Sequence, residues 1–107
     1  MRTGIEDITD ERTRQIFLKG FTTDHDKLYS EGQLLKAAAS YQLQAQFGGF
    51  EKYPPNLWPW DAAEWHPSPL PTRNLAKAGA LVAAEIDRLK NANKKKYEKN
   101  EKENHRH

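Results

Sequence analysis

The sequence predicts a small all-α domain: three helices, with a long ordered loop rich in proline and tryptophan between the second and the third. Three observations lead there. Two segments, opening near Ser30 and Thr72, repeat apolar residues at the helical spacing of i, i+3, i+4 and i+7. No segment alternates apolar and polar residues as a half-buried strand does. All six prolines and all three tryptophans of the 107 residues fall between Tyr53 and Thr72, a density that excludes a helix interior or a central strand there.

The first helix reads as short. Thr9 or Asp10 can cap it, Asp10 and Glu11 suit the positive end of its dipole, and Gly20 is a good residue to end it. Its expected apolar face is Thr13, Ile16 and Phe17, with Ile5 and Ile8 folding back on it. A polar linker, Phe21 to Tyr29, follows. Ser30-Glu31-Gly32-Gln33 fits a capping box that opens the second helix, with Ser30 at the N-cap and Gln33 three residues on. Leu34, Ala37, Ala38, Tyr41 and Ala45 share one face of that helix, and Gly48-Gly49 ends it.

Residues 50–71 form a loop of unusual length for a compact domain. Phe50, Tyr53, Leu57 and the three tryptophans are costly to leave in water, so the loop is expected to wrap over the helices as a lid. One helical turn is expected at 62–65, capped by Asp61. Thr72 is the expected cap of the third helix, with Leu75, Ala78, Gly79, Val82, Ile86 and Leu89 on one face, read as its core face. Its many alanines leave much of the surface small enough for another helix or ring to approach closely. The domain is expected to span residues 1–90, with 91–107 a flexible basic tail.

Composition narrows the function classes. With no cysteine, a disulfide framework and a thiolate zinc site are excluded. No apolar run approaches the ~18 residues of a membrane span, and the N-terminus has no apolar leader. A cytoplasmic protein with no membrane partner is therefore expected. The net charge of +2 hides an asymmetry, because Lys90 to His107 carries seven Lys/Arg and three Glu while the rest carries ten basic and twelve acidic groups. The tail reads as a solvated end, and nucleic-acid contact through it ranks last among the partners considered. About a dozen large apolar residues lie in the predicted helices, a thin core. Tryptophans or a second subunit must complete it, and a homo-oligomer is expected.

No catalytic residue, metal site or cofactor is assigned, and the balance leans against an enzyme. Asp24-His25-Asp26 is the one compact His/carboxylate cluster, short of the three ligands of a catalytic zinc site and readable as a polar turn or a ligand contact. Asp7/Asp10 and Glu85/Asp87 are spaced carboxylate pairs. The E-x-x-E and E-x-x-D patterns with which all-α pyrophosphohydrolases of the MazG kind hold magnesium do not occur within residues 1–90. No glycine-rich phosphate loop or nucleophile elbow is present. Tyr53, Trp58, Trp60 and Trp65 beside Arg73 and Lys77, with Arg14 as a further cation, are the ingredients of a base-stacking and phosphate-binding pocket. Trp58 and Trp65 also read as plugs of a thin core, whereas Trp60, between Pro59 and Asp61, is the least explained by packing.

Several motifs occur in a recognisable order: Glu11-Arg-x-Arg14-Gln15-Ile16, Gly20-Phe21-Thr22 with Asp24-His25-Asp26, Ala37-Ala38-Ala39-x-Tyr41, Trp58-Pro59-Trp60-Asp61 and Arg73-x-Leu75-x-Lys77-Ala78-Gly79-Ala80-Leu81. Over about residues 8–90 this pattern resembles a widespread family of small phage and prophage proteins, mostly of unknown function, whose members usually carry tryptophan where this chain has Phe21. The first helix followed by Gly20-Phe21-Thr22 is also similar to the start of the ryanodine-receptor repeat domain, suspected in bacteria and phages of sensing nucleotide signals. These resemblances imply phage biology, where ligand-sequestering and host-modulating proteins are common. The resulting expectation is a binding protein for a small anionic, nucleotide-like ligand. Trp58 and Trp60 would stack, with Tyr53, Trp65 and Phe21 beside them. Arg14, Arg73 and Lys77 would meet phosphate, and Asp24, His25 or Asp26 would select polar edges. The alternatives are a protein-interaction module acting on a host protein and a metal-dependent nucleotide hydrolase.

Overall fold

The computed structural model describes residues 1–19, 31–48 and 53–92. Among them are three α-helices, α1 (Gly4–Lys19), α2 (Gln33–Phe47) and α3 (Pro71–Ala92), a single 3₁₀ turn (Ala62–Glu64), and no strand. The fold is the expected small all-α domain. α3 is its central element, packing against both α1 and α2, which do not pack against each other. No described helix is long and apolar enough to cross a membrane.

α1 begins well before the expected Thr9–Asp10 cap. Thr3 and Glu6 form a reciprocal capping box: the Thr3 N–H donates to Glu6 Oε1 at 3.0 Å, and the Glu6 N–H donates to Thr3 Oγ1 at 3.2 Å. The Thr3 N–H, then its hydroxyl, hold the Glu6 carboxyl below its usual range. Thr9 is interior, its hydroxyl donating back to the Ile5 carbonyl. Ile5 and Ile8 are helical rather than folded back, and Thr13 and Phe17, expected inside, are exposed. The buried residues among 4–17 of α1 are instead polar: Glu11, Arg12 and Gln15. Ile8 lies over Gly79 of α3, where a Cβ would stand 2.6 Å from Ile8 Cδ1. That close approach is why a glycine sits inside α3.

The cap of α2 is Gly32, in the left-handed conformation (φ 81°), and no side chain caps the helix. Gln33 does reach back, accepting from the Glu31 N–H at 2.8 Å, but the expected partner Ser30 lies outside the described residues. Leu34, Ala37, Ala38 and Tyr41 are buried as expected, joined by Ser40 and Gln44. Gly48 (φ 73°) ends the helix, its N–H donating to the Gln44 carbonyl.

α3 starts at Pro71, whose missing N–H costs nothing at a first helical position. Thr72 is therefore inside the helix and not its cap. Buried Asn74 ties down the preceding loop: the Ser68 N–H donates to Asn74 Oδ1, and Asn74 Nδ2 donates to the Ser68 carbonyl, both at 2.8 Å. The face of α3 is the largest correction. Leu75, Val82, Ile86 and Leu89, expected in the core, are exposed, and the buried arc is Asn74, Ala76, Lys77, Ala78, Ala80, Leu81, Ala84 and Glu85. The physical reason is close approach. A central helix flanked by two others needs small side chains toward both, and the alanines provide them.

The loop supplies the bulk that the alanines lack. Trp65 joins Leu34, Ala37, Ala38, Tyr41, Ala78, Leu81 and Ala84 in the core, with Trp58 and Trp60 half-buried against it. Asp61 precedes the 3₁₀ turn without a side-chain cap bond, and its carbonyl accepts from Trp58 Nε1 at 3.0 Å.

Candidate functional site

The loop and α2 together build an aromatic cluster. The Tyr41 ring stacks on Trp65, with centroids 4.8 Å apart and planes at 26°. Trp58 meets Tyr41 edge-on at 5.6 Å and Trp65 at 4.9 Å, and Trp60 meets Trp58 edge-on at 5.3 Å. Trp65 is a core plug, as its sequence context suggested, whereas Trp58 is only half-buried against the core. Trp60, the tryptophan least explained by packing, belongs to the same cluster through Trp58. Tyr53 is exposed.

A charged cluster adjoins the rings from the α1 side. The buried Glu11 carboxylate lies 3.3 Å from Arg14 Nη1 and 3.7 Å from the buried Lys77 ammonium. That ammonium stands 5.7 Å from the centre of the Tyr41 ring, a cation–π arrangement. The Tyr41 oxygen accepts from the His66 N–H at 3.4 Å. Burial pushes the Tyr41 hydroxyl up to about 12, against the opposing effect of that hydrogen bond. Gln15, one turn beyond Glu11, is buried, and its Oε1 has no hydrogen-bond partner among the described residues. Arg12 pairs with Asp87 at 3.1 Å, and Arg88 pairs with Glu85, tying α1 to α3 and bracing α3 itself.

Arg14 and Lys77, on different helices, therefore share one carboxylate, and through Tyr41 they adjoin Trp65, Trp58 and Trp60. Arg73 is placed differently. It is exposed and lines a cleft of about 320 Å³ between α1 and the start of α3, together with Arg2, Asp7, Asp10 and Glu11. There Arg2 pairs with Asp7 at 3.1 Å and with Asp10. Phe21, Asp24, His25 and Asp26 lie outside the described residues. Among the described residues no group of three His, Asp or Glu side chains is disposed to hold a metal ion.

Glu11, Gln15 and Tyr41 are the members of this constellation that were not singled out as site residues from the sequence. Thr3-x-x-Glu6 marks the early start of α1, but no local signal marks Glu11 and Gln15 as facing inward.

No family model matches this chain. Curated proteins and solved structures give no significant relative either. The chemistry of the site must be read from its own geometry. It offers two cations with a shared carboxylate between them, a buried tyrosine, and three indoles arranged edge to face.

Proposed function

We propose that the protein is a non-catalytic binding protein of the phage or prophage type that holds a small anionic ligand bearing an aromatic ring, with a nucleotide or nucleotide-derived signal as the fitting class. The observation that carries this reading is Lys77, a buried ammonium placed between the Glu11 carboxylate and the Tyr41 ring, at the junction of the charged and aromatic clusters. Ions are costly to bury, and a buried pair replaced by apolar side chains often leaves a helix bundle as stable or more so. A cluster of such groups beside aromatic rings is accordingly a functional-site candidate. Arg14 keeps a 38% exposed side chain and can exchange part of its contact with Glu11 for a phosphate. The half-buried Trp58 and Trp60 stand next in line for the ring.

The test is a thermal-shift and calorimetric screen of the full chain against mono-, di- and cyclic nucleotides. Binding raises the melting temperature by mass action. Arg14→Ala and Lys77→Met are expected to weaken it by at least about tenfold each, the scale of one lost charge-assisted contact. Absence of any shift at millimolar concentration with every nucleotide would discard the reading. A second reading, a module that engages a host protein, is favoured by Phe17 and Phe47, exposed at 79% and 77%. Saturable binding of a purified host protein that Phe17→Ser or Phe47→Ser abolishes, while nucleotides do nothing, would select it.

A further inference from the structure

We draw no further inference here: the strongest candidate, the cleft of about 320 Å³ between α1 and the start of α3, rests on an exposed arginine at a helix N-terminus, Arg73, and on acidic side chains of which Asp7 and Asp10 already pair with Arg2, and nothing among the described residues shows what would occupy it.

Discussion

Replacing Glu11 by glutamine should cost this protein more than replacing its partner Lys77 by methionine. Both side chains are about 8% exposed and their charged atoms lie 3.7 Å apart. At an effective dielectric constant of ~20 the attraction at that distance is about 4 kcal/mol. Breaking one side of a buried pair typically costs about 3–5 kcal/mol. Glu11→Gln leaves the Lys77 ammonium buried without that carboxylate, so a loss of about 3–4 kcal/mol is expected. Lys77→Met leaves Glu11 with Arg14 at 3.3 Å and fills the volume with an unbranched apolar chain, so about 1–2 kcal/mol is expected. At roughly 4–8 °C per kcal/mol for a domain of this size, the melting temperatures should fall by about 15–25 °C and 5–10 °C. The double variant should resemble Lys77→Met alone, because a carboxylate is not needed once the ammonium is gone. The assay is a four-protein thermal and urea cycle followed by circular dichroism, which isolates the coupling. If the two losses add to within about 0.5 kcal/mol, the cluster is not one unit and its reading as a built site falls.

Three further perturbations test the surroundings of that cluster. The Tyr41 hydroxyl titrates at about 12 in the fold against 10.0 for a free tyrosine, so its neutral form is favoured by the fold. That stabilisation, about 2–3 kcal/mol for two pH units, is complete below pH 10 and disappears as pH rises to about 12. Stability of the wild type should fall over pH 10–12, and Tyr41→Phe should flatten the profile. Gly79→Ala gains about 1 kcal/mol of helix propensity but sets a Cβ 2.6 and 2.8 Å from Ile8 Cδ1 and Cγ1, a crowding that typically costs about 1–3 kcal/mol. Its melting temperature should drop by a few degrees in the wild type and rise in an Ile8→Ala background. Asn74→Ala removes two 2.8 Å hydrogen bonds and strands the Ser68 N–H and carbonyl, a loss of about 2–3 kcal/mol, with faster hydrogen exchange at the Ser68 amide as the local readout.

The legible and illegible parts of the sequence divide along one physical line. The Gly48 end of α2, its Leu34–Ala37–Ala38–Tyr41 face, the existence of α3 and the plugging role of Trp65 all follow from local backbone preference or the simple burial of apolar area. The face of α3 does not. Apolar periodicity marks its most hydrophobic side, and it cannot tell which side is buried when the side opposite is lined with alanine. The start of α1 was hidden because Gly4 depresses helix propensity and Thr9-Asp10 is an attractive cap. Only the Thr3–Glu6 reciprocity marks the true origin. Which side of α1 meets α3 is set by tertiary pairing, Glu11 with Lys77 and Arg12 with Asp87, and this leaves Phe17 outside. Arg14 and Lys77 could be named as cations from sequence, but their meeting on Glu11 is tertiary and has no local signature.

The inversion of α3 also separates the proposed site from the outer face of the helix. Lys77 and Val82 are five residues apart, which places them about 140° apart around the helix. The ammonium looks toward Glu11 and Tyr41, and the valine toward solvent. Lys77→Met should therefore weaken nucleotide binding, and Val82→Glu should leave it within about twofold of wild type, both read by calorimetry. If Val82→Glu abolished nucleotide binding while its circular dichroism stayed native, the site would not be the one that Arg14, Glu11, Lys77, Tyr41 and Trp65 build together, because those residues are joined to one another on the inner side of α3.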